Sequence, residues 1–239
     1  MIDKEEFAHR IITEYINKSG IKIPVEIHFV DNINDSWILY TKNIKVINQY
    51  SNGNFSKDNG LLMPFDGVSY HILIRNDYED YECTIIHEST HVIDYDNFRV
   101  LFNNGNKDIE LHPYYWYMAL YSEFHARSVA HSYYCFEQLP PDCDKMQIII
   151  EELINIVPLI KEIETQIRDT PVVKERQNLY YELMQLLGRI YITKLDISPL
   201  DDFSENIKKL YSCLAALNKE WNDNFFQSFG YALQQLNYK

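Results

Sequence analysis

No stretch of this chain approaches ~18 uninterrupted apolar residues, so no membrane-spanning helix is expected. The opening segment MIDKEEFAHRIITEYI is charged and amphipathic and lacks the apolar core of a secretory signal. Cysteine is sparse: Cys83, Cys135, Cys143 and Cys213 are scattered, with no C-x-x-C pair. That usage fits reduced thiols in a cytoplasmic protein, with a Cys135–Cys143 bridge as the one pairing to weigh against it. Positive charge is also scarce. Lys+Arg 22 stand against Asp+Glu 35, a formal charge of -13, and no run of Lys or Arg interrupts that balance. Binding nucleic acid through its phosphates needs a basic face, so no nucleic-acid partner is expected. Internal repeats and low-complexity segments are lacking too.

What is present is ordinary for a folded protein: 239 residues, 46% hydrophobic and 24% charged. The length suits one large domain or two small ones. Nineteen tyrosines and twelve phenylalanines read as an aromatic core and surface.

Residues 3–18 have the helical spacing Phe7, Ile11, Ile12, Tyr15, Ile16, closed by Ser19-Gly20. Pro24 to Asp31 alternates like a strand. Ser36–Tyr40 and Ile44–Tyr50 are apolar segments short enough to be strands, and Ser51 to Gly60 is a loop by composition. Gly67 to Arg75 is the clearest strand, with Val68, Tyr70, Ile72 and Ile74 on one face. A helix is predicted from about Tyr81 to Phe98, and another from His112-Pro113 to about Cys135. Pro140-Pro141 then breaks the chain. Beyond it, helices are predicted near 143–168, 172–194 and 203–237, with Pro171 and Pro199 as punctuation. Ile148, Ile149, Leu153, Ile156, Ile160 and Ile163 form a core stripe, while Glu151-Glu152 and Asp201-Asp202 read as solvated faces. The division expected is 1–139 and 140–239.

The chemistry lies in His87-Glu88-Ser89-Thr90-His91, an H-E-x-x-H motif inside the helical pattern CTIIHESTHVIDY. Histidines four apart project from one helical face, so both imidazoles can bind one metal ion. Glu88, beside the first, is placed to take a proton from a water that the metal polarises. A catalytic zinc site needs a third protein ligand. Glu123, on the next predicted helix, has small neighbours at Ala119, Ala126 and Ala130 that admit a second helix closely. The alternatives for Glu123 are a surface acid or a pair with Arg127. Other possible third ligands are Asp94, His112, His125 and His131. Asp94 continues the face of His87 and His91. It either accepts the free N–H of a ligand histidine or is a solvated acid near the helix end. His28 and His71 read as packing or surface residues, and Cys83 as a core thiol.

These residues resemble a known group. HESTHVIDY followed by SEFHAR is similar to the gluzincin peptidases, with H-E-x-x-H on one helix and a glutamate on the next. Within them it is closest to anthrax lethal factor and the Mlc titration factor peptidases, which pair H-E-x-x-H-x-x-D with a later glutamate. The ImmA/IrrE peptidases are similar in layout. The likeness covers Thr84–Tyr95 and Ser122–Arg127. It implies an α+β, zincin-like fold: a small mixed sheet packed on the H-E-x-x-H helix and a second glutamate-bearing helix, then a mostly helical C-terminal subdomain. It implies one Zn²⁺ per chain on His87, His91 and Glu123, with Glu88 as general base. It also implies an oxyanion donor near Tyr114, Tyr115 and Tyr117, of which Tyr115 is favoured. Thermolysin-type members carry an Asp four residues after the ligand glutamate. Arg127 stands there instead, so Asp94 is expected to supply the supporting acid, and Arg127 to orient Glu123.

The expected activity is hydrolysis of a peptide bond in a narrow protein or peptide substrate. A non-catalytic zincin-fold binding module is the first alternative. An effector or toxin protease that holds its target with residues 143–237 is the second, and a zinc amidase on a small molecule the third. The strand Gly67–Arg75 is either the sheet edge that pairs with an extended substrate or an interior strand.

Overall fold

A computed structural model describes residues 3–51, 53–191, 199–216 and 221–238. The chain forms two compact units, Met1–Ile109 and Glu110–Lys239, and the class is α+β with helix predominating. The division expected at 139/140 falls inside the second unit.

The first unit opens with helix α1 (Lys4–Arg10), continued as wider and then tighter turns to Ser19. Asp3 caps it through the Glu5 N–H, and Gly20, at φ 95, ends it. Strand β1 (Val25–Val30) follows, then helix α2 (Ile33–Ser36) running into a 3₁₀ turn over Trp37–Tyr40, and helix α3 (Ile44–Tyr50). The two segments read as possible strands are therefore helical. Their apolar residues Ile33, Trp37 and Tyr40 recur every three or four positions, and Tyr50 follows the pair Val46 and Ile47 by four and three. That spacing places them against Val30, Met63 and Leu73 in one cluster. Asn32 caps the first of the helices through the Asn34 N–H.

Strand β2 (Gly60–Leu62) starts at the last residue of the expected loop and was not predicted, and strand β3 (Tyr70–Arg75) begins three residues later than predicted. The sheet order is β1-β3-β2, with β1 parallel and β2 antiparallel to β3. The best strand of the sequence is thus the central one, which removes it as an edge for substrate. Its two buried faces explain why it reads so clearly. Tyr70, Ile72 and Ile74 are buried on one side, where the Tyr70 hydroxyl reaches Asp96. Leu73 is buried on the other, against Ile33, Trp37 and Val46. Helix α4 (Tyr81–Phe102) carries Asp96 and covers the first face.

The second unit is helical. It comprises α5 (Tyr115–Tyr133), extended by a wide turn over Tyr134–Gln138, α6 (Lys145–Asp169), α7 (Val173–Tyr191), α8 (Glu205–Ala216) and α9 (Asp223–Gln235). The helix expected over 203–237 is seen as two, the second capped by Asn222 through the Phe225 N–H; residues 217–220 lie outside the described residues, as do 192–194 of the helix expected to end there. Ile148, read as part of the core stripe, is only half-buried, while Ile149, Leu153, Ile156, Ile160 and Ile163 are buried as the spacing required. They share one core with Leu120, Tyr121 and Phe124 of α5, and that sharing is why α5 belongs to this unit. Gly188 of α7 lies against α5 so closely that a Cβ there would come 2.5 Å from the Phe124 carbonyl oxygen. No disulfide joins the four cysteines, and among the described residues no helix is long and apolar enough to cross a membrane.

Candidate metal centre

α4 brings the motif together within the first unit. His87 and His91 stand one turn apart, and their Nε2 atoms are 3.1 Å apart. Two ligands of one zinc ion at bonds of ~2.1 Å in a tetrahedron are separated by ~3.4 Å, so the imidazoles fit a shared ion. The rings meet edge to face, with centroids 4.6 Å apart. His91 is buried and His87 partly so.

Glu88, on the same helical turn, reaches β2. Its Oε2 accepts the Leu62 N–H at 2.9 Å. Met63 and its neighbours direct alternate N–H groups at β3, as antiparallel pairing demands, and Leu62 points away from the sheet at the open edge. The general-base candidate is thus anchored at an edge strand that reading for motifs alone missed. Gly60 makes room for it: a Cβ at that position would lie 2.5 Å from Thr84 Cγ2 and 2.9 Å from Glu88 Cγ. The signal in the sequence was a glycine opening a run of three apolar residues after a polar loop.

Asp94 is 2% exposed, which rules out the solvated alternative. Its charge acts on Tyr15, whose hydroxyl shares a hydrogen bond of 2.9 Å with Thr90 Oγ1 of α4. Burial, first, and then Asp94 push the Tyr15 phenol up to about 12, against the lowering effect of Thr90. Asp96, two residues on, was not singled out from the sequence. It is buried and accepts two bonds from Arg99, at 2.9 and 2.7 Å.

The other expected site residues lie in the second unit. Glu123 is half-buried on α5, and Gln185 of α7 donates to its Oε1 at 2.8 Å. Ala119, Ala126 and Ala130 are buried, as small residues at a helix contact should be. Arg127 is half-buried; among the described residues its Nε has no hydrogen-bond partner. Tyr115 opens α5 and is half-buried. Tyr114 stacks on Phe226, and Tyr117 packs against Phe229 and Gly230, so both serve the unit's own core. Of the rival ligands, His112 accepts the Tyr114 N–H, His125 stacks on Tyr121, and His131 pairs with Glu152 at 2.8 Å. Glu152 was read as solvated. Instead it is held by His131 and Arg189 together.

No protein-family model, no curated protein and no solved structure matches this chain.

Proposed function

We propose that this chain is a zinc-dependent peptidase with His87, His91 and Glu123 as metal ligands. Two imidazoles and one carboxylate suit zinc and leave a position open. The observation that carries the reading is the His87–His91 pair on α4 with Glu88 between them, its carboxylate fixed by Leu62. When bound, zinc supplies Lewis acidity toward water and a carbonyl oxygen. Glu88 takes the proton of the attacking water and passes it to the leaving amine. Tyr115 donates to the oxyanion that develops at the scissile carbonyl. Asp94, buried on the same helix, holds the tautomer of a ligand histidine. Arg127 steadies α5 around Glu123. β1 and β2 are the two edge strands of the sheet, and β2 is the one tied to the motif, through the Leu62 N–H that Glu88 accepts.

One observation favours a rival reading: the Glu88–Leu62 bond can be a structural tie between α4 and β2 in a protein that binds without cleaving. Glu88→Gln separates the two, because a glutamine Oε1 still accepts the Leu62 N–H but cannot serve as base. Wild type and Glu88→Gln are presented with a peptide library in the presence of zinc. Cleavage by wild type alone, with equal metal content, supports the peptidase. No cleavage by wild type loaded with one zinc favours the binding module.

A further inference from the structure

We propose a second transition-metal site on the opposite face of the sheet, formed by Glu26, His28 and His71 and taking a zinc-class divalent cation. The site lies wholly in the first unit. Glu26 and His28 are alternate residues of β1 and share a face, and Glu26 is paired in register with His71 of β3. This is the face of Leu73, away from α4. The three ligand atoms form a nearly regular triangle. His28 Nε2 is 3.1 Å from His71 Nδ1, and Glu26 Oε2 is 3.6 Å from the first and 3.7 Å from the second. Those edges bracket the ~3.4 Å expected of a tetrahedral ion with bonds of ~2.1 Å.

The surroundings are those of ligands rather than of surface histidines. With Nδ1 of His71 on the metal, its Nε2–H is left to donate, and Ser69 Oγ lies 3.1 Å from Nε2. Asp66 Oδ2 stands 3.9 Å from the same nitrogen, while its other oxygen accepts the N–H groups of Val68 and Ser69. The Tyr40 ring lies against His28, centroids 4.2 Å apart and tilted 31°, which sets the plane of that imidazole. His71, Tyr40 and Asp66 also line a cavity of about 610 Å³, with Lys42 and Lys107 in its wall, so a space large enough for a small ligand adjoins the ligand set.

The site is independent of the one on α4, and its test keeps the two apart. Full-length wild type, His87→Ala/His91→Ala and His28→Ala/His71→Ala are equilibrated with zinc, dialysed and assayed by elemental analysis, with circular dichroism to check folding. Expected are about two ions in wild type and about one in each double variant, one per ligand set. One ion in wild type that survives in His87→Ala/His91→Ala and vanishes in His28→Ala/His71→Ala upholds this proposal and sinks the peptidase site. The reverse pattern overturns this proposal alone. If His28→Ala/His71→Ala fails to fold, Glu26→Gln replaces it, with weakened retention of one ion expected and unchanged retention counting against the site. Cobalt(II) added to His87→Ala/His91→Ala gives a second readout. Visible d–d bands without a thiolate charge-transfer band fit two imidazoles and a carboxylate. A thiolate band places the ion on His131, Cys135 and Glu152 instead and overturns the assignment.

Discussion

On the proposed reading Glu88 is both the acceptor of the Leu62 N–H and the general base, and its substitutions separate the two roles. Glu88→Gln keeps an acceptor for the Leu62 N–H and removes the base. Turnover is expected to fall by about 10²–10⁴ with zinc content and melting temperature unchanged. Glu88→Ala removes both, so it should lose a similar amount of turnover and also about 1 kcal/mol of stability, read from urea unfolding. Equal activity in wild type and Glu88→Gln would refute the base assignment. Gly60 supports the same residue from the other side. Its backbone φ is unremarkable, so the demand is space alone: a methyl group there runs into Thr84 and Glu88. Gly60→Ala is expected to cost about 1–3 kcal/mol by overpacking and to lower turnover by displacing the Glu88 carboxylate, while zinc stays bound. Retention of full activity would mean that the position of Glu88 is not set from β2.

Elements were legible where one period ran long enough, and illegible where it did not. The stripe from Ile149 to Ile163 spans several turns, and the structure buries it as read. Trp37 to Tyr40 gives little more than one turn and Ile44 to Tyr50 about two, too few to separate a helical period from a strand's. β2 is three residues long and is defined by its partner β3, so the glycine that opens its short apolar run is too weak a local sign to call a strand. The H-E-x-x-H pair could be read because i and i+4 fix it within one helix. The triangle Glu26–His28–His71 could not, because it depends on the register of two strands 45 residues apart, Glu26 to His71. Glu152 was misread for the same reason, as its partners come from two other helices. Burial works to raise the Glu152 pKa, but His131 and Arg189 outweigh it and hold the carboxyl below its usual range. A carboxyl depressed in the folded state adds stability above the ordinary carboxylate range. That stability drains away as pH falls through the range to the lower folded value. Wild type should therefore exceed Glu152→Gln in urea midpoint at neutral pH, with the gap closing as the solution is acidified. A gap that does not change with pH would mean that the ion pair contributes nothing.

At the scale of the whole molecule, the decisive fact is which helices share a core. Leu120, Tyr121 and Phe124 of α5 are buried with Leu183, Leu187, Ile207, Phe229 and Leu233, all from the second unit. The cluster closes on itself between residues 120 and 236. Contact between α5 and α7 is tight enough that Gly188→Ala would press a methyl group onto the Phe124 carbonyl, at 2.5 Å from backbone that cannot turn aside. These two facts make a joint prediction about where the chain can be cut. A fragment spanning 110–239 keeps every wall of its core and should fold alone, with a helical spectrum and a cooperative melt. A fragment spanning 140–239, cut where Pro140-Pro141 suggests a boundary, lacks α5. It strands the apolar face of α7 in water, and it should aggregate or melt without a transition. Gly188→Ala in the longer fragment should lower its melting temperature, since overpacking of about 1–3 kcal/mol is a large part of what a domain of this size has to spare. Cooperative melting of 140–239 would show that α5 is not needed for this core, and would support a boundary at the proline pair.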